Sequence, residues 1–227
     1  LNPVYDAVSN IKSKLEKNIT FIGFAGSPWT VSTYMIEGQG SKDHIKTKAF
    51  MLQHPDIFDK LILKIEKATI EYLSKQIIAG VDAVKLFDSW AGSLPGSYLE
   101  KYSLIPMKNI AKELRKRFPK IPIIVFPRGV GPMYEKFSEI KEFNCIAIDS
   151  NVDLTWAKNN VQKNNVIQGN LDPVYLISGG KELVKQTNKI VEKFSSSGHI
   201  FNLGHGITPN AKIENVDLLI KTIKEKN

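Results

Sequence analysis

Residues 21–38 read FIGFAGSPWTVSTYMIEG, and the organisation of the chain follows from this stretch. The apolar run Phe21–Phe24 is typical of a buried strand, and it breaks at Gly26-Ser27-Pro28. Hydroxyl, aromatic and carboxylate side chains follow the break. An α/β enzyme builds one wall of a pocket in this way, with polar groups placed directly after a buried strand. The alternative is an ordinary loop in which Trp29 and Tyr34 only pack.

Length and composition predict one domain that spans residues 1–227. The chain has 227 residues, of which 42% are hydrophobic, and this is enough for a sizeable core. No apolar run is long enough to span a membrane, and the start Leu1-Asn2-Pro3-Val4 does not resemble a secretory signal. The first residue is not methionine, so we expect a processed or truncated chain.

The cysteine count and the net charge narrow the functional classes. The single cysteine, Cys145, cannot form an intramolecular disulfide or a cysteine cluster for zinc, which favours a reducing, cytoplasmic location. The net charge of +8 comes mostly from lysines on helical segments, as in a solvated exterior. There is no stripe of basic residues interleaved with aromatic ones, so we do not expect a nucleic-acid partner. Attraction of a polyanionic small molecule stays open.

Six apolar runs, each followed by a helical pattern, predict an α/β fold with a parallel sheet, because no hairpin signal separates them. The predicted strands are residues 21–26, 81–87, 121–126, 145–149, 165–170 and 199–204. The predicted helices are residues 4–16, 55–79, 104–118, 133–141, 153–162, 180–195 and 215–226, and residues 27–43 are expected to form a loop.

Both an open sheet and a closed barrel fit this alternation, and two features favour the barrel. Every predicted strand ends in polar or glycine residues, and these would converge at the carboxyl face of a (β/α)8 TIM-type barrel. The first strand also lacks the Gly-x-Gly-x-x-Gly turn of dinucleotide-binding folds. Six units are fewer than eight, so we expect an incomplete barrel with unpaired edges at strands 21–26 and 199–204.

Several side chains at the strand ends are candidates for chemistry. His205 lies between two glycines directly after a strand, which suits either a ligand contact or a structural cap. Asp88-Ser89 pairs an acceptor with a hydroxyl, and Ser89 is interpreted as a hydrogen-bonding group because no Gly-x-Ser-x-Gly motif surrounds it. Arg128 suits a substrate carboxylate or the protein surface equally well. His44 is expected to be solvated.

Five motifs resemble the uroporphyrinogen decarboxylase family, in order and with compatible spacing, from about residue 18 to the end. They are Gly23-Phe24-Ala25-Gly26-Ser27-Pro28-Trp29-Thr30, Thr33-Tyr34-Met35, Phe87-Asp88-Ser89-Trp90-Ala91-Gly92, Gln168-Gly169-Asn170-Leu171-Asp172-Pro173 and Gly198-His199-Ile200-Phe201-Asn202-Leu203-Gly204-His205-Gly206-Ile207. Each motif alone is weak, whereas the five together are specific.

The resemblance implies a (β/α)8 barrel, a homodimer, and a role in haem and porphyrin biosynthesis. It implies a lyase that converts uroporphyrinogen III to coproporphyrinogen III by four acetate decarboxylations, without a metal or cofactor. Protonation of a pyrrole next to the acetate makes the ring an electron sink, so CO₂ can leave. Such an enzyme holds a polycarboxylate, stabilises a cationic intermediate and excludes bulk water.

The resemblance also assigns site residues. Tyr34, Ser89 and His205 match the active-site Tyr, Ser and His of the family, with Tyr34 and Ser89 on the substrate and His205 on a carboxylate side chain. Phe24 and Phe87 would help to wall the cleft. The substrate-binding candidates Asp88 and Arg128 come from their positions at strand ends.

The chain departs from the family pattern in three places. The N-terminal Arg-Gln-Ala-Gly-Arg-Tyr motif and the Asp that contacts the pyrrole nitrogens have no counterpart in this sequence. The usual Asp-Trp is replaced by Asp149-Ser150, and Arg128 stands where Lys is common. Because the first departure removes substrate-binding groups, we expect negligible turnover of uroporphyrinogen by these 227 residues alone.

Two alternative functions stay open at this point. A zinc-dependent methyltransferase of the same superfamily would need a His-x-Cys site, and the surroundings of Cys145 do not supply one. A non-catalytic piece that binds porphyrinogen, or a complementary N-terminal chain, would show the same motifs without activity.

Overall fold

Strands and helices alternate along the chain in the computed structural model, which describes residues 1–226. All six predicted strands are present within this range, with slightly shifted ends, and the α/β class is confirmed. The residues group into two compact units. Unit 1 contains Leu1–Val130 and Ile140–Asn144, and unit 2 contains Gly131–Glu139 and the part that begins at Cys145. That residues 1–227 form a single domain stays a prediction.

Unit 1 contains three strands and the longest helix among the described residues. Its elements are α1 (Asn2–Lys12), β1 (Ile22–Gly26), α2 (Pro28–Glu37), α3 (Ile45–Gln53), α4 (Pro55–Ile78), β2 (Ala83–Asp88), α5 (Gly96–Leu99), α6 (Ile105–Arg117) and β3 (Ile123–Pro127). Helix α4 packs on α6, and Phe58 and Leu73 of α4 and Leu114 of α6 are excluded from solvent. This packing supports the sheet from one side.

The sheet of unit 1 is parallel, in the order β1–β2–β3. Phe24 of β1 lies opposite Lys85 of β2, and Phe87 of β2 lies opposite Phe126 of β3. All of β3 is buried, as a strand covered on both faces should be, whereas β1 alternates and leaves Phe24 exposed. Since the three strands run in one direction, their carboxyl ends lie along a single edge of this sheet.

Residues 28–37 form a helix, so the loop expected between residues 27 and 43 is wrong for most of its length. Ser32 and Thr33 of this helix are buried, and their hydroxyl groups donate to main-chain carbonyls one turn earlier. Ser32 donates to the carbonyl of Trp29 and Thr33 to that of Thr30, each at 2.7 Å. Because these bonds satisfy the hydroxyl groups locally, a polar sequence can form a buried helix.

Strand β1 lies at one end of the unit 1 sheet, and its outer edge has a side-chain partner. The amide of Gln76, a buried residue of α4, accepts from the N–H of Phe24 at 3.1 Å and donates to the carbonyl of Phe24 at 3.0 Å. One side chain therefore makes the two bonds that a neighbouring strand would make. The open edge expected at residues 21–26 is partly covered in this way.

Unit 2 contains the other three strands and five helices of the described residues. Its elements are α7 (Tyr134–Ser138), β4 (Cys145–Ala147), α8 (Leu154–Asn160), β5 (Val166–Leu171), α9 (Tyr175–Ser178), α10 (Gly180–Phe194), β6 (His199–Leu203) and α11 (Ile213–Lys224). The strands are parallel in the order β4–β5–β6. Strand β6 is half-buried along most of its length, whereas β4 is fully buried.

Among residues 1–226, no helix combines the length and the apolar character that a membrane span requires.

Candidate active site

The turn Ser27-Pro28 connects β1 to α2 at the carboxyl edge of the unit 1 sheet. The N–H of Ser27 donates to the carbonyl of Phe87 at 2.8 Å, which ties the turn to the end of β2. Proline suits the first helical position, because no intrahelical partner exists for an N–H there and its fixed φ is already helical. The turn thus fixes the first residue of α2 and holds the start of this helix against the end of β2.

Tyr34 and Phe24 are the most exposed of the predicted site residues in unit 1. Tyr34 lies on α2 and is 50% exposed, and its ring contacts the ring of Trp90 with centroids 6.4 Å apart. Phe24 is 60% exposed and meets the ring of Phe87 edge-on at 5.8 Å. A phenolic hydroxyl and two aromatic rings are therefore accessible on unit 1, as the walls of a cleft require.

Lys85 is a residue of this region that the sequence analysis missed. It lies two residues before Phe87 on β2, so the two side chains share a face of the sheet. Lys85 is only 7% exposed, and its Nζ lies 4.6 Å from the ring centroid of Phe87 and 5.2 Å from that of Phe126. The ring faces attract the ammonium group and offset part of its desolvation. The sequence feature that could have identified Lys85 is its position as the one lysine within an apolar strand.

Asp88 ends β2 and is completely buried. Its two carboxylate oxygens accept hydrogen bonds from Thr30 Oγ1 and Ser103 Oγ, both at 2.6 Å. Burial raises the pKa of Asp88 to about 6, because the charged form is costly away from water, while the hydroxyl groups of Ser103 and Thr30 act in the opposite direction. Asp88 thus anchors α2 and the segment before α6 to β2, and its contact with a substrate stays a prediction.

Ser89 follows Asp88 at the carboxyl end of β2 and is half-buried. The next residue, Trp90, has its main chain held from both sides. Its N–H donates to Thr30 Oγ1 at 3.3 Å, and its carbonyl accepts from Trp29 Nε1 at 3.0 Å. The main chain that directly follows Ser89 is therefore fixed relative to α2.

Arg128 follows β3 and lies beside the end of β2. Its N–H donates to the carbonyl of Asp88 at 3.1 Å, and its carbonyl accepts from the N–H of Gly92 at 2.9 Å. A Cβ on Gly92 would lie 2.5 Å from the carbonyl oxygen of Gly129, so a larger residue could not take this position without a shift. A guanidinium group at this edge suits a carboxylate ligand, and that contact stays a prediction.

His205 follows β6 in unit 2, and its side chain is exposed. The two neighbouring glycines differ in their surroundings. A Cβ on Gly204 would clash with the main chain of Ser150, whereas the space around Gly206 is open. The first glycine therefore allows β6 to approach the loop after β4. That His205 and Tyr34 face one cleft stays a prediction.

The segment Asp149-Ser150 at the end of β4 is the second place where the sequence departs from the family pattern. The carboxylate of Asp149 accepts from the hydroxyl of Tyr134 at 2.8 Å and from the N–H of Asn151 at 3.0 Å. An open pocket of about 400 Å³ lies beside Ser150, between the loops that follow β4 and β5. Asp149 is thus part of a hydrogen-bonded strand end in unit 2.

The expectation that His44 is solvated is wrong, since only 1% of the residue is exposed. Its imidazole ring lies 5.0 Å from the ring of Trp90, between centroids. Burial lowers the pKa of His44 below its ordinary value, and the negative charge of Glu37 opposes this shift. The surrounding sequence, Ser-Lys-Asp-His, is polar and gave no signal of burial.

Unit 1 thus brings five of the predicted residues to the carboxyl end of one sheet, with His44 and Lys85 as additions. These five are Phe24, Tyr34, Phe87, Ser89 and Arg128, and Asp88, the sixth predicted residue of unit 1, ends β2 at the same edge with its side chain buried. Parallel βα units with aromatic, hydroxyl and cationic side chains at the strand ends define an α/β protein of the barrel class with an enzyme-like site.

Comparisons of the sequence with known proteins indicate one family. A family model described as uroporphyrinogen decarboxylase (URO-D) matches residues 1–226. A protein of that name from Cereibacter sphaeroides is 52% identical over all 227 residues, and one from Rhodobacter capsulatus is 50% identical over 226 residues. The chain belongs to the uroporphyrinogen decarboxylase family. It spans 66% of the length of each of these two relatives.

Solved structures with little sequence similarity share the fold. A methyltransferase from Methanosarcina mazei superposes on 98% of this chain and 64% of its own length, with a TM-score of 0.81 and 17% identity. A B12-independent methionine synthase from Shewanella sp. W3-18-1 superposes on 98% of this chain and 67% of its own length, with a TM-score of 0.70 and 11% identity. At these identities the likeness concerns the fold alone.

Proposed function

We propose that this chain provides most of the active site of a uroporphyrinogen decarboxylase, which converts uroporphyrinogen III to coproporphyrinogen III by four acetate decarboxylations. The observation that carries the proposal is the 52% identity to a protein of that name over the full length of this chain. The exposure of Tyr34 and the position of Ser89 at the end of β2 in unit 1 support it, because both residues lie in motifs shared with the family.

The side chains described above suit cofactor-independent decarboxylation. The hydroxyl groups of Tyr34 and Ser89 donate hydrogen bonds to the substrate, and His205 binds one of its carboxylate arms. The rings of Phe24 and Phe87 cover the pyrrole faces and keep bulk water away from the protonated ring. The bond between the acetate methylene and its carboxylate then breaks, and its electron pair neutralises the protonated ring as CO₂ leaves. Protonation of the resulting exocyclic methylene and loss of the proton first added to the ring give the methyl group of the product.

The positive groups of the chain suit the many carboxylates of the substrate. Arg128 lies at the edge of the unit 1 sheet, and a guanidinium group binds a carboxylate through two parallel hydrogen bonds. The net charge of +8 attracts a polyanion over a longer range. Asp88, with its carboxylate turned into the protein, acts here by holding Thr30 and thus α2.

The proposal includes a homodimer, on the strength of the family resemblance, and a location in the cytoplasm, which the single cysteine favours. Sedimentation equilibrium measures the oligomeric state directly. We expect a mass of twice 25.5 kDa for the purified chain, and a single species at 25.5 kDa at all concentrations would contradict the dimer.

The activity is tested with uroporphyrinogen III under anaerobic conditions, followed by oxidation and chromatographic separation of the porphyrin products. The chain is assayed alone and with the N-terminal segment of the Cereibacter sphaeroides relative added in trans. We expect coproporphyrinogen mainly in the mixture, since the resemblance places further substrate-binding groups in that segment.

Ser89→Ala and Ser97→Ala form a matched pair for this assay. Ser97 is exposed on α5 in the same unit, and its replacement should leave the rate unchanged. Loss of a hydrogen bond made to the substrate should lower the rate for Ser89→Ala by roughly tenfold or more. If the mixture neither forms coproporphyrinogen nor binds uroporphyrin, the proposed function is wrong.

A further inference from the structure

Three unsatisfied nitrogen atoms are concentrated in one pair of rings next to the site. Among the described residues, seven buried side-chain polar atoms have no hydrogen-bond partner, and three of the seven are Nδ1 and Nε2 of His44 and Nε1 of Trp90. The two rings are in contact, with centroids 5.0 Å apart and planes inclined by 55°. Buried polar atoms without partners are uncommon and unfavourable, so their pairing here calls for an explanation.

The position of His44 is set by its surroundings. Its φ of 51° is left-handed, which is uncommon for a residue other than glycine. Its N–H donates to Ser41 Oγ at 3.0 Å. On the other side, the carboxylate of Glu37 accepts from the N–H of Thr47 at 2.9 Å, which joins the end of α2 to the start of α3. Both sides of the turn are therefore held, and the imidazole is kept against Trp90.

The contacts of Trp90 lead to two residues of the proposed site. Trp90 directly follows Ser89, and its ring packs on the ring of Tyr34 at 6.4 Å. The main chain of Trp90 is fixed by Thr30 and Trp29, so its indole ring is the part that can still rotate. A group that holds this indole therefore also fixes one of the surfaces that the ring of Tyr34 contacts.

We propose that His44 is a positioning residue: its neutral imidazole accepts the indole N–H of Trp90 and thereby fixes the surface on which Tyr34 packs. The two rings are in contact, with centroids 5.0 Å apart, and the proposed bond requires a rotation of one ring that brings the indole N–H to an imidazole nitrogen. The bond satisfies two of the three unpartnered nitrogens. The role of Tyr34 rests on the proposed function, whereas the bond itself does not.

Protonation should break this bond, because an imidazolium ion has no acceptor nitrogen. The charged groups that act on His44 are Glu37 and Asp43, which favour the protonated ring, and Lys48, which disfavours it. Burial is the largest influence and favours the neutral ring. Protonation of His44 thus requires a more acidic solution than that of an exposed histidine.

The bond is tested by NMR on chain labelled with ¹⁵N, with the indole signal of Trp90 assigned through Trp90→Phe. We expect a ¹⁵N–¹⁵N coupling across the hydrogen bond between Trp90 Nε1 and the ring of His44 at pH 7. The coupling should vanish in acid and in His44→Phe, and persist in His54→Phe. His54 is the matched control, since it is exposed and contacts the ring of Phe50. Absence of the coupling at pH 7 overturns the proposal.

The positioning role is tested with uroporphyrin III, which binds without turnover, by measuring the affinity of the same variants. His44→Phe should bind about fivefold more weakly, the effect of one lost hydrogen bond, while His54→Phe binds as the unmodified chain does. A role in packing alone would leave the affinity unchanged, because phenylalanine keeps the ring. Equal affinity of both variants therefore overturns the positioning role.

Failure of the proposed function can be told apart from failure of this inference. If the unmodified chain does not bind uroporphyrin, that result counts against the proposed function. The role of His44 is then decided by the ring signals of ¹³C-labelled Tyr34. They should shift in His44→Phe and not in His54→Phe, and no shift in either variant overturns the role.

Discussion

Asp88 shows how a single buried charge shapes this protein at the residue scale. Its carboxylate has no exposed surface and is held by the hydroxyl groups of Thr30 and Ser103. Two neutral hydrogen bonds compensate only part of the cost of a buried anion, so the proton binds more tightly than in water. The residue therefore links the pH to the stability of the strand end that carries Ser89.

Asp88→Asn should remove a pH dependence of folding. The folded-state pKa, about 6, lies above the ordinary value of 3.8, so protonation of Asp88 stabilises the folded state. This contribution is complete below pH 3.8 and is lost as the pH rises through about 6. Relative to the unmodified chain, the free energy of unfolding of Asp88→Asn should rise by up to about 3 kcal/mol between pH 4 and pH 7.

Urea unfolding of both proteins at several pH values measures this difference. Asp153→Asn serves as a control, since Asp153 is an exposed N-cap residue of α8 in unit 2. A difference between Asp88→Asn and the unmodified chain that stays constant across this pH range would argue against a raised pKa at Asp88.

At the scale of elements, the side chain of Gln76 connects helix α4 to the outer edge of strand β1 through two hydrogen bonds. Gln76→Leu leaves the N–H and the carbonyl of Phe24 without these bonds. We expect the free energy of unfolding to fall by about 2–4 kcal/mol, from two main-chain groups left unpaired. Urea unfolding measures it, and Gln53→Leu, at the exposed end of α3, should change stability by less than about 0.5 kcal/mol.

The glycines on either side of His205 should respond differently to the same change. Gly204→Ala places a Cβ against the main chain of Ser150 and should lower the free energy of unfolding by about 1–3 kcal/mol. Gly206→Ala meets open space and should be nearly neutral. Thermal unfolding of the two variants gives the comparison, and equal losses would show that Gly204 is not limited by this contact.

The elements were predictable from sequence where apolar residues repeat with one clear period. The strands ending at Asp88 and Pro127 and the helix from Pro55 belong to this group. Helix α2 was missed because the hydroxyl groups of Ser32 and Thr33 are satisfied by main-chain carbonyls one turn away, which composition does not reveal. His44 was missed for a related reason: its burial depends on the ring of Trp90, which is distant in sequence.

For the candidate site too, the sequence predicted individual residues but not which residues contact one another. Motifs predicted Tyr34 and Ser89 as site residues. Tyr34 is half exposed on α2 and Ser89 is half-buried at the end of β2, and their contact with a ligand stays a prediction. The partners of Asp88 could not be predicted, because Thr30 and Ser103 reach it from two different segments of unit 1. A sequence pattern places a residue on an element, whereas the partners of a buried carboxylate depend on how the elements pack.

At the scale of the whole molecule, the net charge of +8 should make the affinity for an anionic ligand depend on the salt concentration. The affinity for uroporphyrin should fall on the order of tenfold when the ionic strength rises from about 0.02 M to about 0.3 M, because salt screens the attraction of exposed charges. Fluorescence titration measures the affinity. Coproporphyrin, with fewer carboxylates, is the control and should show a weaker dependence, and equal salt dependence for the two ligands would contradict this account.

Lys85 gives the protein an amine that reagents in solution should not reach. Because the side chain is 7% exposed and lies beside the rings of Phe87 and Phe126, acylating reagents should label the surface lysines first and leave Lys85 unmodified. Its labelling should begin only when the strands of unit 1 separate. Mass spectrometry of the peptide that contains Lys85 would therefore report when this sheet opens. Most other lysines of the protein lie at the surface, so their labelling would not report this event.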